Sequence, residues 1–494
     1  MTHSIAFPDS GPTPLLTAEQ IAALLPCCPA LAQIAQVLLD FRTGTVTPAA
    51  THKLETDLQN LVREVGRCAM EHTLNNLEPT EAEAPPEMRT NGTRYRRRHK
   101  TPTDVDSTFG RFRLWRWLYE PRDAGERCLF PLQDLLGLVA GRATPSLASH
   151  VGVLVAQHPQ REVLRLLRQQ NGLKWSHALL RRIAAEVAEL VGGQRQAAQT
   201  RRVVKWLRQA FRSRGRFEPV LAVGRDGVMV PMVGKGYQEA SVGTIAVYDR
   251  RGKRLGTVYL GCMPEKLQQT LTDQLTELLQ AILTAWKGQR PRLTYITDGG
   301  STPEGYFTEV LQKMTDPARA GERLDWVRVL DFYHAAGYIS KLAEALFGLS
   351  VRAQQWARRM RGELKVGRLG VVLQSASYHR NAKKLRGGRK RDFRSAYRYL
   401  YKRREQMRYD RYRAQGRPIG SGVTEAGCKG VASQRLKQSG MKWEKGGGQV
   451  VLNLRVVWLS GVWEEAWDAH LRQATRSVQD TYGDYARPSV PVAA

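Results

Sequence analysis

The stretch Leu221–Val230, L-A-V-G-R-D-G-V-M-V, decides how the fold is read. A short apolar run ends on Asp226 and passes at once to Gly227. Apolar runs of this length read as buried strands, and glycine lets a backbone turn close to a neighbour or ligand. A carboxylate on the last residue of such a strand is held rigidly at a sheet edge. The pattern recurs. Leu293–Ile296 (L-T-Y-I) leads through Thr297 to Asp298, followed by Gly299 and Gly300. A third carboxylate, Glu425, lies in P-I-G-S-G-V-T-E-A-G, a glycine-rich turn that opens a helix. Each has a plainer reading alone: an Asp-Gly pair forms turns, and Glu at a helix start suits the macrodipole. Glu304, Glu309 and Glu444 compete with Glu425 for the third place.

The intervening chain orders these residues. Ser241–Asp249 and Leu255–Cys262 alternate as strands around the turn R-R-G-K, a hairpin that makes the first three strands a meander. Lys266–Trp286 is an amphipathic helix with Leu267, Leu271, Leu275, Leu278, Leu279 and Ile282 on one face. The Asp298 strand follows, then a helix near Tyr306–Met314, then the strand Trp326–Leu330, which runs into D-F-Y-H (Asp331–His334). The order βββ-α-β-α-β-α is that of an α/β core of RNase H-like type.

A very basic helical insertion precedes the last carboxylate. Over residues 351–415, 21 Lys and Arg stand against 4 Asp and Glu, and tyrosines from Tyr397 to Tyr412 are interleaved with them. Such density beside an acidic site suits the tracking of phosphates, with Arg389, Lys390 and Arg391 the densest cluster. Lys437 and Lys442 add cations beyond Glu425.

The N-terminal half reads as mainly helical with a small β-ribbon. Residues 1 to about 16 are Pro-, Ser- and Thr-rich and expected to be loose, and helical spacing runs from Thr17 to about Asn76. Glu78–Glu87 is acidic and proline-rich, a linker by composition. Arg94–Lys100, with Arg96, Arg97 and Arg98, precedes Phe109–Tyr119, where arginines and aromatics interleave as in a ribbon with one basic face. Two helices around Asn171-Gly172, the second carrying Arg181 and Arg182, have the spacing of a helix-turn-helix. The boundaries follow: a helical 1–77, a linker 78–88, a ribbon 89–140 and a helical DNA-binding region 141–215. The core then spans 216–334 and 418–470 around the insertion 335–417, leaving a tail at 471–494.

The 494 residues carry a formal net charge of +30 and a pI near 10.2. That excess repels itself unless a polyanion relieves it, and nucleic acid is the leading partner. No run approaches the length of a membrane span. The six cysteines form no C-x-x-C pair, so neither a zinc ribbon nor a disulfide framework is indicated, and reduced thiols in a cytoplasmic protein fit better. Two divalent ions suit three carboxylates brought from separate elements. They activate a hydroxyl nucleophile and stabilise a leaving oxygen, with Mg²⁺ the natural ion and Mn²⁺ able to substitute. On this reading Asp226 bridges both ions, Asp298 binds one and Glu425 the other.

The motifs D-G-V, T-D-G-G, D-F-Y-H, P-I-G-S-G-V-T-E-A-G-C-K, G-M-K-W and G-G-Q-V-V-L-N-L-R resemble insertion-sequence DDE transposases of the ISKra group. These are bacterial relatives of the Mutator-like transposases. The likeness runs from about Leu221 to Trp467. It implies a catalytic triad of Asp226, Asp298 and Glu425, and matches Asp331 and His334 to the family's C/D-x-x-H pair as auxiliary active-site residues. It also implies cleavage at transposon ends, strand transfer into target DNA, a homo-oligomer on DNA and a nucleoid-associated place in a bacterial cytoplasm. Relatives often carry paired cysteines near the ribbon, where Cys128 here stands nearly alone. The rival functions are an inactive or domesticated DNA-binding protein, and an RNase H-like nuclease or resolvase without strand transfer.

Overall fold

A computed structural model describes residues 28–90, 92–122, 125–319, 321–383, 385–483 and 485. The expected loose start, the first part of the helical spacing (residues 17–27) and the last residues of the expected tail fall outside the described residues. The chain is mixed α/β and 58% helical, with a mixed sheet. It divides into two compact units. One comprises Met1–Val151, Gln160–Glu186 and Arg472–Ala494; the other Gly152–Pro159 and Val187–Leu471.

In the first unit, α1 (Ala30–Thr43) and α2 (Pro48–Asn75) form a helical pair. Thr47 caps α2 by accepting from the Ala50 amide at 3.1 Å, and Pro48 starts the helix where its missing N–H costs nothing. Strands β1 (Glu87–Thr90), β2 (Thr93–Ser107) and β3 (Gly110–Pro121) make an antiparallel sheet. Along β3, Phe112, Leu114, Trp117 and Tyr119 are buried, while Arg111 and Arg113 point outward. The segment read as a linker packs on this sheet. Buried Glu78 accepts from the Trp117 amide, and the Pro85 carbonyl accepts from the Tyr119 hydroxyl at 2.8 Å. Buried backbone and side-chain donors need such acceptors, so acidity and proline here mark a covering strap.

Helices α3 (Pro145–Gln157), α4 (Gln160–Asn171) and α5 (His177–Arg212) follow. The expected helix-turn-helix is corrected in one respect: the second helix is no short recognition helix but runs 36 residues. Its buried residues continue through Val191, Ala198, Val203, Val204 and Leu207, and an added Cβ at Gly192 or Gly193 would meet nothing, so neither glycine breaks it.

The second unit is built on a five-stranded sheet of β4 (Val220–Met232), β5 (Gly236–Tyr248), β6 (Arg254–Cys262), β7 (Arg292–Thr297) and β8 (Trp326–Leu330), in the order β6-β5-β4-β7-β8. The first three form the expected antiparallel meander, and β7 and β8 run parallel to β4. Strand period two divides β4 between two cores. Leu221 and Val223 face α6 (Gln269–Ala285), α7 (Ser301–Glu309) and the end of α5. Val220 and Ala222 face α8 (Phe332–Phe347) and the insertion helices α9 (Val351–Lys365), α10 (Leu369–Lys383) and α11 (Gly387–Lys402). The basic insertion is therefore no free arm, because Trp356, Met360, Phe393 and Leu400 bury into the sheet's own core.

After the insertion come α12 (Gly422–Gly427), a π-helical stretch Cys428–Ser433, α13 (Lys445–Leu459) and α14 (Trp463–Tyr482). The expected tail is thus helical as far as Tyr482, and Tyr485 is buried among Ala84, Tyr95, Trp117 and Tyr119. Among the described residues, no helix is long and apolar enough to cross a membrane.

Candidate active site

Asp226 is not the last residue of its strand. β4 continues to Met232, paired throughout with β5. Gly227 is needed there for space rather than for turning, since a Cβ would lie 2.0 Å from Glu239 Oε1 across the strand pair. The β4–β7 pairing, however, ends at Gly224↔Ile296, and β7–β8 ends at Thr297↔Leu330. Carrying both registers onward sets Asp226 beside Asp298, and Asp298 beside Asp331. The sheet edge next to Asp298 and Asp331 is the carboxyl end of β7 and β8, whereas β4 runs on past Asp226. Ligand sites on open α/β sheets favour such ends.

Both aspartates are half-buried. Asp226 Oδ1 accepts from its neighbour's amide, Gly227, at 2.7 Å, and Cys428 Sγ donates to Oδ2 at 3.7 Å. Burial and the charges of Asp298 and Glu425 push the Asp226 carboxyl above its ordinary range, while those two hydrogen bonds work the other way. Burial, then the Asp226 charge, push the Cys428 thiol well up, so it stays a protonated donor. Asp298 Oδ1 accepts from the Gly300 amide at 2.9 Å.

Glu425 reaches this place through close backbone packing. Thr424 Oγ1 lies 2.9 Å from Thr244 Oγ1, and a Cβ on Gly224 would meet Thr424 Oγ1 at 2.1 Å. On the same side of α12, a Cβ on Gly427 would meet Thr244 at 3.0 Å. Gly224 and Gly427 thus let α12 settle on the sheet. Glu425, next to Thr424, is exposed and accepts from Ser421 Oγ at 2.8 Å. Its rivals are otherwise engaged or placed: Glu309 pairs with Lys313, Glu304 near the Asp298 turn pairs with Arg328 and Arg403, and Glu444 precedes α13.

Asp331 does not hold the His334 ring. It is fully buried, and its two oxygens accept from the His334 and Ser421 amides. It caps α8 and pins the turn that leads to Glu425, and amides rather than the His334 ring engage its oxygens. The His334 ring is exposed, 5.4 Å from the Tyr338 ring and 5.8 Å from that of Tyr399. His334→Ala is expected to slow cleavage about 10- to 100-fold, the scale of an outer-layer partner, with an unchanged melting temperature. A single-turnover rate equal to wild type would make the ring structural only.

The basic residues divide into structural and free. Arg389 donates to the Ala345 carbonyl at 2.9 Å and Arg97 to those of Glu81 and Ala84, while Arg98 pairs with Glu120. Arg182 donates to the Ala140 carbonyl at 3.1 Å and Arg181 to Gln160 at 3.4 Å. Arg96, Lys390, Arg391, Lys437 and Lys442 are exposed and make no ion pair among the described residues. The ribbon's basic face is partly neutralised in the same way, with Arg111 and Arg142 paired to fully buried Asp106.

Sequence reasoning missed several residues that build the site. Tyr399 donates to the Asp298 carbonyl and Arg403 to that of Gly299, both from the insertion. Buried Arg225, one residue before Asp226, bonds Thr272 at 3.0 Å and Gln268 at 2.9 Å. Gln268 and Leu267 hold left-handed backbone at φ +52° and +58°, a strain of order 1–3 kcal/mol each. An arginine inside an apolar strand was the only advance signal of this network.

The donor set has the chemistry for a hard divalent cation, whose charge would offset the burial and the like charges that raise Asp226. Asp226, Asp298 and Glu425 are the residues that would hold it. As placed they are not drawn together: among the described residues, no group of three or more His, Cys, Asp and Glu is arranged to hold a metal ion. No protein-family model and no curated protein matches this chain.

Proposed function

We propose that the protein is a DNA transposase with an RNase H-like core, cleaving at transposon ends and joining the freed ends to target DNA. One observation carries the reading. Asp226 and Asp298 each lie two residues past Gly224↔Ile296, the last pair of the parallel β4–β7 ladder, and both are half-buried there. The strand order β6-β5-β4-β7-β8, with its antiparallel meander and two parallel strands, supports the fold assignment. The net charge of +30 supports DNA as the partner.

In this reading Mg²⁺, two ions with Mn²⁺ as substitute, polarises the attacking hydroxyl and the leaving oxygen when bound. The chain's own residues orient the ligands. The Gly227 and Gly300 amides fix one oxygen of each aspartate, the Cys428 thiol steadies Asp226, and Asp331 holds the turn before Glu425. Glu425 is the exposed member, and to complete the set it would leave Ser421. A homo-oligomer on paired ends, in a bacterial cytoplasm beside the nucleoid, belongs to the same proposal.

The rival reading is a DNA-binding protein that keeps the fold without the chemistry. A strand-transfer assay with the element's own terminal sequences separates the two. Wild type should join ends to target in Mg²⁺, and Glu425→Gln should abolish both cleavage and joining while its gel-shift affinity holds. Cleavage retained by Glu425→Gln would remove it from the site. Cleavage without joining would point to a nuclease or resolvase, and neither activity to the binding protein.

A further inference from the structure

Beside the Asp298 turn, α11 borders a cavity of about 910 Å³. Its cations are Lys390, Arg391, Arg394, Arg398, Lys402 and Arg403, and Glu304 is the one carboxylate among its lining residues. Lys390, Arg394, Arg398 and Lys402 are spaced four residues apart, so they form one row with a charge about every 6 Å. These four and Arg391 are exposed and make no ion pair among the described residues. The opposite side of α11 buries Phe393, Ala396 and Leu400, which holds the row rigid.

A row of cations in a concavity is self-repelling, and an anion that enters relieves it. A solvated helix face would instead be convex, with charges of both signs interspersed. The groove lies along a single helix and its cations form a single row, which suits the backbone of one strand.

The same helix grips the candidate catalytic turn. The Tyr399 hydroxyl donates to the Asp298 carbonyl, and Arg403 Nη2 donates to the Gly299 carbonyl at 2.5 Å. Arg403 lies over the Tyr399 ring at 4.3 Å, Tyr338 stacks on its other face at 3.7 Å, and Lys341 lies over Tyr338 at 4.6 Å. This four-layer stack ties α8 to α11 and leaves Tyr399 little freedom. Gly299, at φ +83°, makes room for Arg403, because a Cβ there would lie 2.5 Å from Arg403 Nε.

We propose that this cavity binds the phosphodiester backbone of one unpaired nucleic-acid strand, and that Tyr399 and Arg403 couple its seating to the position of Asp298. The inference rests on the transposase reading for the strand's identity, namely an end processed at Asp226 and Asp298. Tyr399 and Arg403 are positioning residues, since they act on backbone carbonyls rather than on the substrate.

The strand-binding arm uses the full chain in EDTA, where no chemistry occurs, so it stands whether or not the protein cleaves DNA; the metal arm uses an EDTA-free buffer. Anisotropy of a short labelled oligothymidylate, and of a duplex of equal length, is followed over a range of KCl. For the double variant Arg394→Gln/Arg398→Gln, the single-strand log–log salt slope should fall by about 1.4, roughly 0.7 per lost contact, with a smaller change for duplex. Both side chains are exposed, and an unchanged melting temperature verifies the fold. A wild-type single-strand slope, or equal loss for duplex, overturns the strand site. The coupling is read by calorimetry of Mn²⁺ binding with and without oligothymidylate. Wild type should bind Mn²⁺ more tightly when the strand is present, and Tyr399→Phe should lose that gain while keeping its strand affinity. A gain retained by Tyr399→Phe, or absent from wild type, overturns the coupling.

Discussion

Asp226→Asn is expected to lower cleavage at least about 10³-fold, the scale for a group at the centre of a catalytic set, and to stabilise the fold. The two effects share a cause. Burial, with the charges of Asp298 and Glu425, raises the Asp226 carboxyl above its ordinary range. A group whose folded value lies above its unfolded value holds its proton more tightly when folded. Wild-type stability therefore falls as pH rises from the unfolded to the folded value, and the full penalty is present above the latter. Asn carries no charge, so its gain in melting temperature should be complete at neutral pH and vanish below the unfolded carboxylate range. Melting curves from pH 3 to pH 8 with single-turnover cleavage at pH 8 would check both parts. A variant that is inactive yet no more stable at neutral pH would mean that Asp226 is not held among like charges.

Much of the sheet was legible because its signals are local. The runs Leu293–Ile296 and Trp326–Leu330 are buried strands, and R-R-G-K makes the hairpin turn. Gly227 misled because glycine has two uses. Here the backbone stays extended and the missing Cβ makes room for Glu239, a residue on another strand. The strap at Glu78–Glu87 misled likewise: its composition is that of a linker, but its acceptors answer donors on β3. Charge density found the insertion but could not sort it. Arg389, Lys390 and Arg391 are identical in pattern, yet only Arg389 is bound to a helix-end carbonyl. Nor could any spacing show Tyr399 on the Asp298 carbonyl, 101 positions away. What stayed illegible were contacts set by tertiary packing, which is where the ligand-positioning residues lie.

The approach of α12 to the sheet gives the other large expectation. Gly224 is buried between Thr244 on β5 and Thr424 on α12, and an added Cβ would stand 2.1 Å from Thr424 Oγ1 and 3.1 Å from Thr244 Oγ1. Neither hydroxyl can simply rotate away, because the two bond each other at 2.9 Å. Gly224→Ala must therefore push α12 outward, and Glu425 is the residue next to the contact. Overpacking of this kind costs about 1–3 kcal/mol. A displacement near 1 Å of a catalytic group lowers rate about 10²-fold. The variant should thus lose stability and cleavage together, with DNA binding by the exposed cations of α11 little changed. Thr424→Ala in the same chain removes the obstructing oxygen, so the double variant should recover most of both losses, a coupling visible in a double-mutant cycle. Strict additivity of the two substitutions would show that α12 is not held at Gly224, and the packing account of how Glu425 reaches Asp226 would fall.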